Sequence, residues 1–245
     1  VLVVDTTPPT AAGLSLPADN TESNVRTFVF SWTLSTDLLS GVNSYRLQAI
    51  VSGGSFATPL ADSATTTLSE TLVLPSNDTY LWRVVTFDDA GTTTAPTARL
   101  LIVDTTAPTA AVLATPSAGH ETRTTTVAFA WTAATDLLSG VSQQRIQVDT
   151  SGAFLVGTRV ADSQAASATA ASGSVTLPAN DTYFWRVLAQ DDAGNTTPTA
   201  GRALLIDTVA PNGFAFVDPT GGETKTSPVL LDWNATTDAG SGVGS

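Results

Sequence analysis

The chain has no cysteine, no methionine, one histidine (His120) and one lysine (Lys225). Without cysteine there are no disulfides, thiolate metal sites or cysteine nucleophiles. Positive charge is scarce, with 10 Lys+Arg against 22 Asp+Glu and a formal net charge of −12. That balance argues against nucleic acid, which calls for a basic footprint. No apolar run approaches the ~20 residues of a membrane span. The apolar share of 42% nevertheless belongs to folded protein rather than to a disordered chain.

What the chain does have is repetition. Val4–Thr10 returns as Val103–Thr109 and again, altered, as Ile206–Asn212, with Asp5, Asp104 and Asp207 as fixed points. Phe28–Trp32 matches Val127–Trp131 and Val229–Trp233. Thr36–Val42 matches Thr135–Val141 and Thr237–Val243. Leu74–Val84 matches Leu177–Val187, and Asp88–Gly91 matches Asp191–Gly194. Self-similarity at this long period means an array of like modules. The period, about 100 residues, is the length of one small β-sandwich. The expected division is 1–4 (last strand of a preceding module), 5–103, 104–206, and 207–245 (start of a third). The fragments at both ends, and the lack of any Met, suggest a stretch of a longer polypeptide.

Period-two alternation dominates. Phe28, Phe30 and Trp32 share one strand face. Tyr45, Leu47 and Ala49 alternate with Arg46 and Gln48, and Tyr80, Trp82 and Val84 with Leu81, Arg83 and Val85. Pro, Gly and Asn-Asp turns punctuate these runs, which predicts an all-β fold of tandem sandwiches with about seven strands per module. Trp32, Trp82, Trp131 and Trp185 are the expected core anchors.

These residues resemble a known family. Ser31-Trp32, Asp37, Ser40-Gly41-Val42 and Tyr45–Gln48 look like strands B and C of a fibronectin type III domain. Leu74-Pro75, Asp78-Thr79-Tyr80 and Trp82-Arg83-Val84 look like its E–F corner and strand F. Asp88–Gly91 and the Asp-Thr-Thr-Ala-Pro phrase are similar to the Ig-like repeats of bacterial and archaeal surface proteins. The resemblance implies tyrosine corners at Tyr80 and Tyr183. Gln144, where the first module has Tyr45, departs from the pattern.

In that topology the B–C and F–G loops lie at the pole where a module begins, and the A–B and E–F loops at the opposite pole. The acids then gather at the junctions. Asp104, Asp136, Asp191 and Asp192 are expected to meet Asp78, with Asp19 and Glu22 nearby. Asp207 and Asp238 would face Asp181, with Glu121 nearby, and Asp5, Asp37, Asp88 and Asp89 would form the outer pole. Like charges ~4 Å apart repel by ~4 kcal/mol at an effective dielectric of 20. Ca²⁺, which takes 6–8 oxygens, would relieve that repulsion. The alternative is that each Asp caps a local turn and stands separately in water. The linker phrase holds β-branched residues and a Pro but no Gly, which favours a stiff tandem.

Asn77, Asn180, Asn195 and Asn234 each begin a glycosylation sequon, and each is equally a turn-forming Asn. Six of the nine Arg recur in register: Arg46/Arg145, Arg83/Arg186 and Arg99/Arg202. They could form a stripe that holds carbohydrate, or they could pair across strands and cover apolar surface. Leu100–Val103 is apolar on both faces, and strand F adds Leu81, Val85 and Phe87. Such a strip suggests lateral contact with other copies or other surface proteins, unless nearby loops cover it. No catalytic set emerges. His120 has no counterpart in the other modules, and paired Asp residues repeated in every module argue for structure.

The sequence thus predicts a non-catalytic piece of a long extracellular protein: a stalk, adhesin shaft, surface-layer or filament component. A carbohydrate-binding array and spacer modules of a secreted enzyme are the alternatives.

Overall fold

The computed structural model describes residues 4–178, 180–218 and 231–242, and no helix occurs among them. The first four-residue fragment (save Val4), the start of the strand at Val229–Trp233, and Val243 lie outside the described residues.

The first sandwich contains β1 (Leu14–Leu16), β2 (Thr21–Ser23), β3 (Thr27–Trp32), β4 (Val42–Val51), β5 (Ala61–Thr65), β6 (Ser69–Val73), β7 (Asp78–Asp88), β8 (Thr93–Thr94) and β9 (Arg99–Val103). One sheet has the order β1-β3-β6, and the other β2-β9-β7-β4-β5 with β8 beside β7. The second sandwich repeats this arrangement with β10 (Val112–Thr115), β11 (His120–Thr122), β12 (Thr126–Thr132), β13 (Val141–Asp149), β14 (Arg159–Gln164), β15 (Ser172–Thr176), β16 (Asp181–Asp191), β17 (Thr196–Pro198) and β18 (Arg202–Ile206). Its sheets run β10-β12-β15 and β11-β18-β16-β13-β14, with β17 beside β16. A hairpin of β19 (Phe216–Asp218) and β20 (Asp232–Trp233) begins the third repeat.

Among the described residues each sandwich has nine strand segments, two of them additions to the expected strands of about seven. The first strand breaks at Pro17, and in the second repeat at Pro116, because proline has no N–H to extend the ladder. The chain then crosses to the other sheet, where β2 pairs parallel with β9 and β11 with β18. The short β8 and β17 account for the remaining segment.

Alternation places the cores. Phe28, Phe30, Trp32, Tyr80, Trp82 and Val84 are buried, with Trp82 at 0% exposure. Phe30 meets Trp82 edge-on at 5.0 Å between ring centres, and Phe129 meets Trp185 at 4.9 Å. Tilted aromatic pairs of this kind add ~0.5–1.5 kcal/mol beyond area burial. The Tyr80 hydroxyl donates to Ser76 O at 2.9 Å and that of Tyr183 to Pro178 O at 2.9 Å, so both tyrosine corners are formed.

The chain divides into two compact units. The first holds the described residues up to Thr109 together with Thr135–Ser142 and Gln190–Thr197. The second holds Ala110–Ala134, Gln143–Ala189 and the described residues from Pro198 onward. The loops carrying Asp136 and Asp191 therefore belong to the first unit, with Asp104.

Candidate functional site

The Asp-Leu-Leu-Ser-Gly loops build the site from local chemistry. Asp37 Oδ1 accepts the amides of Leu39, Ser40 and Gly41 at 2.9–3.0 Å. Asp136 Oδ1 does the same for Leu138, Ser139 and Gly140 at 2.9–3.1 Å. This closes an Asx turn. Gly41 and Gly140 follow with φ of 81° and 78°, which only Gly adopts without strain.

The turn presents Ser40 and Ser139 to the module-opening Asp. Ser40 donates to Asp5 Oδ2 from its amide at 3.0 Å and from its hydroxyl at 2.7 Å. Ser139 donates to Asp104 Oδ2 at 3.2 and 2.8 Å, and the Ser241 amide donates to Asp207 Oδ2 at 2.7 Å. The third member comes from the Asp-Asp-Ala-Gly turn. Asp88 Oδ1 accepts the Thr92 amide at 2.7 Å, and Asp88 Oδ2 takes the Thr92 hydroxyl. Asp191 Oδ1 accepts the Asn195 amide at 2.7 Å, while Asn195 Nδ2 donates to Asp191 Oδ2 at 2.7 Å and to Asp104 O at 2.8 Å.

Two carboxylate trios result, Asp5/Asp37/Asp88 and Asp104/Asp136/Asp191. In each, one oxygen from every member lies within 4.8 Å of the others. Asp104 and Asp191 are each 1% exposed. Ser40 and Thr7, bonded to Asp5, hold its carboxyl below the usual range against a smaller effect of burial. Burial pushes Asp104 up, but bonds from Thr106 and Ser139 outweigh it and leave this carboxyl lowered as well. Bonds from Val209 and Ser241 lower Asp207. The oxygen donors are those a hard divalent cation takes, and the same oxygens already terminate local turns.

Each trio comes from the opening, B–C and F–G segments of its own repeat. Of the acids expected from the preceding repeat, Asp78, Asp181 and Asp19 bond backbone amides instead. Asp78 Oδ1 accepts the Thr79 amide at 2.8 Å, and Asp181 Oδ1 the Thr182 amide at 2.7 Å. Asp19 caps β9 through the Leu100 amide at 2.8 Å. Asp89 accepts from Asn43, and Asp192 is exposed. Asp238 accepts the Gly240 and Gly242 amides, the loop arrangement of its relatives. Asp207 and Asp238 share one cavity lining with Glu121, and Asp181 shares another with Asp207. Glu22 feels the second trio: burial first, then the repelling charges of Asp192, Asp191 and Asp104, raise its carboxyl.

Sequence reasoning missed Ser40, Ser139, Thr92 and Asn195. The first two were legible as the in-register Ser of the Leu-Ser-Gly-Val phrase. Asn195 reads only as a sequon, yet its Nδ2 is held by three acceptors, Asp104 O, Thr106 O and Asp191 Oδ2. Asn77 Nδ2 is likewise engaged, whereas Asn180 and Asn234 are exposed.

The in-register Arg residues are occupied within the fold. Arg83 Nε bonds Gln48 Oε1 at 3.0 Å, and its guanidinium lies 4.0 Å over the Phe56 ring. Arg186 repeats this with Gln147 at 2.8 Å and Phe154 at 4.2 Å. Arg46 pairs with Asp62 at 3.1 Å and Arg145 with Asp162 at 2.6 Å. Arg99 and Arg202 bind carbonyls of the first strand, at Ser15 and Ala114. The apolar strip is covered too: Leu81, Val85, Phe87, Leu100 and Ile102 are half-buried, and Arg46 sits over Phe87.

No protein-family model matches the chain. Among curated proteins it is similar to Exoglucanase B of Cellulomonas fimi, 31% identical over 256 residues, covering 96% of this chain and 20% of the relative. The chain thus spans about a fifth of that relative's length. Solved structures it resembles include the fibronectin(III)-like modules of Clostridium thermocellum CbhA, at 14% identity over 80% of this chain and 94% of that one with a TM-score of 0.48. The FN1–FN3 domains of chicken CNTN1 align at 16% identity over 82% of this chain and 69% of that one, with a TM-score of 0.47. The structural neighbours are fibronectin type III modules, the family whose strand and corner motifs the sequence resembles.

Proposed function

We propose that this chain is a non-catalytic run of tandem β-sandwich modules that spaces other parts of a longer extracellular protein. The observation that carries the reading is the latch made three times, by Asp5 on Ser40, Asp104 on Ser139 and Asp207 on Ser241. Each latch ties a linker to the module that the linker opens, so the linker is held by charge-assisted bonds rather than left as free chain. A site repeated in every module suits mechanics better than catalysis, which needs one cleft. The acidic, Thr-rich composition supports an outside location. No helix among the described residues is long and apolar enough to cross a membrane.

The likeness to Exoglucanase B favours one setting for this spacer, a secreted carbohydrate-active enzyme whose reacting domain lies in another part of the protein. A stalk, adhesin shaft, surface layer or filament is the competing setting, in which the partners are other copies or other surface proteins. Calcium at the two trios would stiffen the junctions in either setting.

The test is made in the full-length protein. The run is replaced with a Gly/Ser linker of equal residue number, and activity on insoluble and soluble substrate is compared. Loss on the insoluble form alone supports spacing. Pull-down of this chain by polysaccharide, lost in Arg83→Ala and Arg186→Ala, would replace the spacer reading with a binding one. Concentration-dependent assembly in sedimentation would favour the filament setting.

A further inference from the structure

The opening Asp holds each linker to the module that follows. A second residue holds it to the module just ended. Thr105 Oγ1 donates to Asn77 Oδ1 at 2.9 Å, and one repeat later Thr208 Oγ1 donates to Asn180 Oδ1 at 2.9 Å. Position and bond recur together. Each clasp lies within one compact unit.

Around this shared bond the two clasps differ. Asn77 Nδ2 donates to Thr106 Oγ1 at 2.8 Å and to Asp104 Oδ1 at 3.3 Å. Arg26 reaches across to Pro75 O at 3.0 Å and Asn77 Oδ1 at 3.2 Å, which fixes the amide's orientation. The second repeat has Thr125 in place of Arg26. There Asn180 takes φ of 57°, and its Oδ1 accepts the Thr208 amide directly at 2.7 Å. Asn tolerates this left-handed backbone, and its amide supplies both a donor and an acceptor. Asp at the same place could not donate to Asp104, and Ser could not span both linker threonines.

We propose that Asn77 and Asn180 are junction clasps, positioning residues that pin the first linker residues to the finished module, and that their repeated Asn-Asp-Thr sequence is kept for this role rather than for glycan attachment. A glycan replaces one of the two Asn77 Nδ2 hydrogens, so the bonds to Thr106 and Asp104 could not both survive. The inference deepens the spacer reading and rests on it only for its purpose.

Amide hydrogen exchange on the whole chain tests it. The Thr106 amide donates to Asp104 Oδ1, the oxygen that Asn77 also holds, whereas the Thr109 amide donates to Thr135 O and serves as an internal control. Asn77→Ala is expected to speed exchange at Thr106 roughly tenfold while Thr109 is unchanged. Asn77→Asp keeps the acceptor for Arg26 and Thr105 but removes the donor. It should free Thr106 even where Asn77→Ala disturbs the first sandwich. Asn180→Gly, chosen because Gly adopts the same φ, should free the Thr208 amide and leave Thr106 protected. Unchanged exchange at Thr106 in Asn77→Asp, or at Thr208 in Asn180→Gly, overturns the proposal. So does a chain from a glycosylating secretory host that carries a glycan on Asn77 while Thr106 stays protected. None of these measurements depends on the Gly/Ser replacement that decides the spacer reading.

Discussion

Asp104 and Ser139 lie 35 residues apart in sequence and are joined twice, the serine amide and hydroxyl both donating to the same Asp104 oxygen at 3.2 and 2.8 Å. The pair is buried, so losing it exposes no water that could replace it. Asp104→Ala also strands the Thr106 amide. Bonds to charged groups contribute ~1.5–3 kcal/mol each and are only partly independent. The variant is expected to lose about 3 kcal/mol from one calorimetric transition and leave the other in place. An unchanged scan would mean that the latch carries no stability.

Tyr45 and Gln144 do one job with different chemistry. The Ser35 amide donates to the Tyr45 hydroxyl at 3.0 Å. At the equivalent place in the second sandwich, the Ala134 amide donates to Gln144 Oε1 at 2.9 Å, and Trp131 Nε1 joins it at 3.1 Å. Trp32 Nε1 has no such partner and is buried unpaired. Gln144→Ala therefore strands two donors and should cost about 2–4 kcal/mol, whereas Tyr45→Phe strands one and should cost about 1–2 kcal/mol. Chemical denaturation of each variant against the parent chain, followed by tryptophan fluorescence, measures both costs, since each sandwich buries two tryptophans. Equal costs would contradict the assignment.

Charge in the folded chain acts in both directions with pH. Asp162 is pushed up by burial but pulled below its ordinary value by Arg145 and then Arg159. A lowered folded value stabilises above the unfolded one, so this contribution is present above about pH 4 and is lost as pH falls through the folded value. Glu22 is raised by burial and by Asp192, Asp191 and Asp104. Its contribution is complete below the unfolded value and is lost as pH rises through the folded one. Glu22→Gln in EDTA should raise the melting temperature at pH 7 and leave it unchanged at pH 3. A shift of equal size at both pH values would assign the effect to packing.

Calcium at the trios predicts linkage. At free calcium about 100-fold above its dissociation constant, stabilisation is ~2.7 kcal/mol per site. The melting temperature should rise in calcium relative to EDTA, and Asp136→Asn and Asp88→Asn together should remove the difference. Coincident melts in calcium and EDTA would leave the Asp residues as turn caps alone.

The sequence by itself determined the repeats, the β class, the sandwich faces and the tyrosine corners. These follow from period-two burial and from turn residues that act locally: Phe28, Phe30 and Trp32 need no partner to declare a face, and Gly41 none to declare a turn. The opening, B–C and F–G acids were also legible as a set, because each recurs in register.

Only the tertiary structure decided which acids meet. Asp5, Asp37 and Asp88 come together because three loops end at one pole, while Asp78 and Asp181 bond the amides next to them, and neighbouring amides win over distant carboxylates. The same holds for the arginines. Their spacing fits a binding stripe as well as a structural one, and the loop bringing Phe56 over Arg83 and Phe154 over Arg186 settles what they touch. Asn77 and Asn195 likewise read as sequons until long-range contacts with Thr106 and Asp104 occupied their amides. Long-range hydrogen bonds depend on where the chain returns, and local residue pattern does not reveal that return.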